Sequence, residues 1–159
     1  AAIVDVLLRD KLACWGRASR GLDMVMAEPG VCRSFVPWSE LHSEGNEGRL
    51  KQVHFASLKS RRSAVEKVDR GYQCDVSRLL DACRQSLFFS RLEDLVACLV
   101  VLKADREVRI ERVVNQLDPA YDGSLSLGYR AVVVNLRLDT PHARRLAVDT
   151  HICELKLVL

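Results

Sequence analysis

The last ten residues constrain the fold more than any other stretch of the sequence. From Thr150 to Leu159 apolar residues alternate: Cys153, Leu155, Leu157 and Leu159 fall on one side, and Ile152, Glu154, Lys156 and Val158 on the other. Successive side chains of a strand point to opposite faces, so this period of two predicts a strand with one face on a core and one face open. A carboxylate stands in the middle of the open face. Strands are also predicted over 83–89, 107–116 and 129–138, with a shorter extended stretch over 53–58. Helical patterns separate them. Ser60 or Ser63 can cap a helix reaching about Arg70, Val76 to Ala82 reads as a short helix, and Ser90 with Glu93 has the spacing of a capping box. The helix opened by that box runs to about Ala104, with Leu92, Leu95, Val96, Leu99 and Val100 expected inward. Short helices among strands, with a β-β-β finish, predict an α+β fold: a mixed, largely antiparallel sheet with helices on one face.

The first third reads differently. Residues 2–15 have helical periodicity, and 16–48 are rich in glycine, proline and polar residues. We therefore expect residues 1–52 to form an N-terminal helix and irregular extension, and 53–159 the sheet domain. Gly16 and Gly21 have the spacing of a phosphate loop, but Leu22-Asp23 follows instead of Lys-Ser/Thr, so the cation and the magnesium-binding hydroxyl are missing. Trp15, Phe35, Val36 and Trp38 stand in irregular sequence, as packing anchors or as aromatics facing a protein partner.

Composition excludes several classes. A chain of 159 residues can bury a substantial core. Its longest uncharged apolar stretch, Leu95 to Leu102, is far short of the ~18–20 residues of a membrane span. The formal charge is only +3 and aromatics are 6% of the chain, so nucleic acid is not the expected partner despite the basic run from Lys51 to Arg70. Six cysteines form no CxxC pair, which predicts free thiols, no zinc site and an intracellular reducing compartment. A start at Ala1 fits either a processed protein, as after entry into a mitochondrion or plastid, or a segment of a longer chain.

Four segments then occur in a telling order: Leu58-Lys-Ser-Arg-Arg-Ser-Ala-Val-Glu-Lys67, Val76-Ser-Arg-Leu-Leu-Asp-Ala-Cys-Arg-Gln-Ser-Leu-Phe-Phe89, Ser126-Leu-Gly-Tyr-Arg-Ala-Val-Val-Val-Asn135 and His151-Ile-Cys-Glu-Leu-Lys-Leu157. Together they resemble the nucleotidyltransferase-like synthetase domain of the RelA/SpoT family, which makes guanosine tetra- and pentaphosphate. The resemblance covers about residues 53–159. It implies that Asp81 matches a magnesium-binding carboxylate. Glu154 matches the acidic residue that completes the metal site or takes the attacking hydroxyl's proton. Tyr129 matches the aromatic that stacks on guanine, and Lys59, Arg61 and Arg62 lie near a phosphate-gripping segment.

The departures from the family point elsewhere. The family's Gly-Tyr-Gln-Ser-Leu-His run reads Gly128-Tyr-Arg-Ala-Val-Val133, and a glutamine two places after the acidic residue is Lys156. Losing several phosphate ligands costs well over the ~2–4 kcal/mol of one catalytic donor. The first expectation is therefore a catalytically degenerate domain, acting as an interaction or scaffold subunit among other proteins and needing no cofactor. The alternative is an active magnesium-dependent nucleotide pyrophosphokinase that binds a guanine nucleotide. In the degenerate case Arg84, Arg130 or Lys156 is expected to stand where the metal would.

Overall fold

The computed structural model describes residues 1–26, 33–41 and 53–159. Its elements in chain order are α1 (Ala2–Ala18), β1 (Leu22–Met26), β2 (Arg33–Pro37), the single-turn α2 (Trp38–Leu41), α3 (Arg61–Tyr72), a 3-10 turn (Val76–Arg78), β3 (Arg84–Phe88), α4 (Leu92–Ala104), β4 (Val108–Asn115), a second 3-10 turn (Gly123–Ser126), β5 (Val132–Leu138), α5 (Pro141–Arg145) and β6 (Ile152–Val158). The strands form one six-stranded sheet in the order β2-β1-β3-β6-β5-β4. All neighbouring pairs are antiparallel except β3 with β6. The α+β class and the mixed, largely antiparallel sheet are as the alternation requires.

The strand pleat sorts the sheet into two faces. Cys83, Leu87, Val132, Val134, Leu136, Leu138, Cys153, Leu155 and Leu157 are buried, joined by Leu95, Cys98 and Leu102 of α4. Val4, Leu8, Leu12 and Trp15 of α1 belong to the same core, as do Trp38 and Leu41. The core therefore runs across residue 52, and β1 and β2 lengthen the sheet that 53–159 builds. These two strands were not legible beforehand: in a stretch read as loop, they pair with each other from Leu22–Pro37 to Met26–Arg33.

Trp15 and Trp38 are each 1% exposed, so neither faces a partner. Phe35 is half exposed and leans on the Phe88 ring, 4.9 Å between centroids. Gly16 owes its place to Trp38: a Cβ there would come 2.2 Å from Trp38 Cδ1. The phosphate-loop spacing is thus a packing feature.

Where β1 and β3 diverge, the extended chain after Val53 is wedged between them. Val53 bridges Val25, and the His54 amide donates to the Met24 carbonyl. Gln85 closes the rest of the gap with its side-chain amide. It accepts from the Ala56 N–H, donates to the Ala56 carbonyl and donates to Asp5 of α1. The 53–58 stretch is extended, but it pairs as a strand only at Val53.

Helix starts and faces differ from expectation in places. Ser60 caps α3 by accepting from the Ser63 amide. The Val76 helix is one 3-10 turn, capped by Asp75. The N-cap of α4 is Arg91, without a side-chain cap, so the Ser90–Glu93 box does not form. The inward residues of α4 are Asp94, Leu95, Cys98 and Leu102, while Leu92, Val96 and Val100 are exposed. The sequence is apolar on both faces, and the inward Asp94 pairs with Arg20 at 2.8 Å.

Candidate functional site

On the open face, strand register aligns two rows of side chains. Arg84, Glu154, Asn135 and Arg112 stand abreast on β3, β6, β5 and β4, and behind them Ser86, Lys156, Val133 and Val114. Side chains opposite each other on one face lie about 4.5–5.5 Å apart at Cβ, so each row is a set of interacting neighbours. The parallel β3–β6 pair is what brings Arg84 beside Glu154. A cleft of about 600 Å³ opens over these rows, and α3, the first 3-10 turn and the 126–129 turn form its walls. Asp81, Tyr129 and Glu154 all line it, with Lys67, Arg78, Arg112 and Lys156. The three residues that the family resemblance singled out on the sheet are gathered in one place.

Asp81 immediately precedes the turn into β3 and is 6% exposed. Its Oδ2 accepts from Lys59 Nζ at 2.8 Å and from Lys67 Nζ at 2.9 Å, and Arg84 stands 3.9 Å away. Lys59 is held in position by its own backbone, whose N–H donates to the Ala82 carbonyl. Burial alone would raise the Asp81 pKa, but hydrogen bonds from Lys59 and Lys67 outweigh it and hold the carboxyl below its ordinary range. Lys67 is displaced the other way: burial opposes its charge, yet Asp81 and Tyr72 keep it protonated above the usual lysine range. Lys156 lies 3.5 Å from Glu154 and 5.7 Å from the centre of the Tyr129 ring. Burial, and then the Glu154 charge, raise the Tyr129 phenol.

The turn that presents Tyr129 is built locally. Asp122 accepts from the Ser124 amide, and Gly128 closes the turn through a 2.8 Å bond to the Gly123 carbonyl. Gly128 has φ +82°, a left-handed conformation in which glycine pays no Cβ penalty. Arg130, one of the cations expected at the metal position, is occupied elsewhere. It donates to the carbonyls of Gln116, Asp118 and Tyr121 at 2.9–3.2 Å and so pins the loop before the turn.

Several sequence expectations move at this point. Lys59, placed with the phosphate-gripping residues, is the partner of Asp81. Arg61 and Arg62 are exposed on α3, Arg62 pairs with Glu66 at 3.1 Å, and neither lines the cleft. The cations on the carboxylates are Lys59 and Lys67 on Asp81 and Lys156 on Glu154. Lys67, Arg78 and Arg112 were not singled out. Arg112 was within reach, because it shares strand parity with Val114 and Gln116, and the β4–β5 register sets it opposite Asn135.

The arrangement favours anions. Four cations line the cleft against two carboxylates, and the carboxylates are already neutralised. Magnesium takes near-octahedral oxygen ligands and is commonly held through one or two carboxylates together with substrate phosphates. Here both carboxylates carry ammonium partners, and no group of three or more His, Cys, Asp or Glu gathers among the described residues. The lysines leave one acceptor, the buried Asp81 Oδ1, without a hydrogen-bond partner among the described residues. Among the described residues the cysteines are free thiols: Cys14 and Cys74 exposed, Cys83, Cys98 and Cys153 buried. No helix among them is long and apolar enough to cross a membrane.

No family model matches the sequence, and no curated protein matches it either. Among solved structures the chain is similar to one in the complex between the type VI effector Tas1 and its immunity protein. Identity is 20%, with a TM-score of 0.41, over 65% of this chain and 44% of that chain.

Proposed function

We propose that this chain is a catalytically degenerate RelA/SpoT-like domain that serves as an interaction subunit of a larger assembly. The observation that carries the reading is the capture of Asp81 by Lys59 and Lys67 at 2.8 and 2.9 Å. Two ammonium groups stand on the carboxylate that an active relative would use for metal, and a third covers Glu154. The charge balance of the cleft supports anion binding without turnover. Its flat ring, Tyr129, remains able to stack on a base.

A direct assay tests this. The chain is incubated with ATP, magnesium and GDP or GTP, and pyrophosphoryl transfer is followed by nucleotide separation. No transfer above background is expected. Transfer that requires magnesium and disappears in Glu154→Gln would overturn the degenerate reading in favour of an active pyrophosphokinase. One observation favours that second reading: Asp81, Tyr129 and Glu154 share a single cleft.

A further inference from the structure

Helix α4 is apolar nearly all round. Of its 13 residues only Glu93, Asp94 and Lys103 are charged. A helix of that composition belongs in an interior, yet only one side of α4 is covered. Leu95, Cys98 and Leu102 are at most 1% exposed, whereas Leu92, Val96 and Val100 are 53%, 49% and 63% exposed. Those three follow each other at i, i+4 and i+8, so they form a single stripe along the outer face. Ala104 continues it. Valine gains nothing from an exposed helix site, where its β-branch costs side-chain freedom.

We propose that this stripe pairs with the same stripe of a second copy of the chain, the two α4 helices antiparallel about a two-fold axis level with Cys98, midway between Val96 and Val100. Charge selects the partner and the direction. Glu93 and Lys103, the two charged residues that α4 exposes, stand at opposite ends of the helix. A parallel pair would set Glu93 against Glu93 and Lys103 against Lys103. The antiparallel pair brings the Glu93 end of each helix beside the Lys103 end of the other, and it also opposes the helix dipoles. The stripe is self-complementary in the same register: Val96 meets Val100 of the copy, and Leu92 meets Ala104. The Glu93–Arg91 contact, 3.3 Å between exposed groups, is easily exchanged for a new partner.

A helix of 13 residues is about 20 Å long, so the patch is below the ~800 Å² per partner of a standard stable complex. The dimer is therefore concentration-dependent. It does not depend on whether the cleft is catalytic, because α4 covers the opposite face of the sheet.

Sedimentation equilibrium between about 1 and 500 µM tests the proposal. A monomer–dimer equilibrium is expected. Val96→Asp should weaken it at least about tenfold with an unchanged circular dichroism spectrum, as an exposed position allows. Lys103→Glu should weaken it and Glu93→Lys with Lys103→Glu restore it, which reads the pairing even if Val96→Asp perturbs the helix. A monomer at every concentration would mean that another protein, or another part of a longer chain, covers the stripe, and would overturn the proposal. So would a dimer indifferent to both Val96→Asp and the charge reversals.

Discussion

Replacing Asp23 by asparagine should change how the stability of this protein depends on pH, by an amount the structure sets. Asp23 lies in β1 at 3% exposure. One carboxylate oxygen accepts from the Met24 amide at 2.6 Å, and no cation pairs with Asp23 among the described residues. Burial raises its pKa from 3.8 to about 7, against the smaller opposing effect of the Met24 hydrogen bond. The folded state thus holds a proton that the unfolded state releases between pH 3.8 and about 7. Stability must fall with rising pH across that window and level off above it. At about 1.4 kcal/mol per unit, the full penalty at pH 8 is on the order of 4 kcal/mol. Asparagine keeps the acceptor for Met24 and cannot ionise. Urea unfolding at intervals from pH 4 to pH 8.5 should show the variant gaining on the parent by that amount, or about 10 °C in Tm for a domain of this size. His151, whose pKa burial lowers, acts in the opposite sense, but it is common to both proteins and cancels in the difference. If the two curves ran parallel from pH 4 to 8.5, with a constant offset, Asp23 would not be the buried acid described, and the argument would be wrong.

Three further outcomes follow from named contacts. Lys59→Met with Lys67→Met leaves Asp81 buried without a partner and should destabilise by about 3–5 kcal/mol in chemical denaturation, a loss that Asp81→Asn in the same background should largely reverse. Because paired Asp81 and Asp105 have lowered pKa values, their stabilisation is complete above pH 3.8 and lost as pH falls through their folded values; the deficit of the double lysine variant should therefore be largest at neutral pH and shrink on acidification. Gly16→Ala should cost several kcal/mol or prevent folding, since its Cβ would strike Trp38, while Gly71→Ala, with open space around it, should be neutral or stabilising by thermal melting.

The sequence was most legible where a period of two met a single buried face. Residues 150–159 gave the parity of β6, and with it the position of Glu154 on the open side. The class of the sheet followed, because β4, β5 and β6 alternate or run apolar between clear turns. Legibility failed where two physical signals were equal. In α4 the inner and outer faces are both apolar, so periodicity could not say which was buried. It failed again at β1 and β2, five residues each, too short for a clear period, with Phe35 packing on Phe88 far along the chain. Asp81 and Glu154 could be singled out by resemblance, but their partners could not. Lys59 precedes α3 and Lys67 lies within it, and both donate to one oxygen of Asp81.

That convergence links fold and function. A parallel β3–β6 pair within an otherwise antiparallel sheet places the residue preceding one strand next to the middle of its neighbour, and so concentrates Asp81, Arg84 and Glu154 at one spot. A chain that carries both carboxylates there must balance their charge, with a metal ion or with cations of its own. This sequence supplies lysines from three elements: Lys59 before α3, Lys67 on α3 and Lys156 on β6. The lysines on Asp81 are anchored by structure that has nothing to do with a substrate, namely the Lys59–Ala82 backbone bond and the Ser60 cap of α3. A charge network held so firmly from outside the cleft stabilises the fold whether or not a nucleotide is bound.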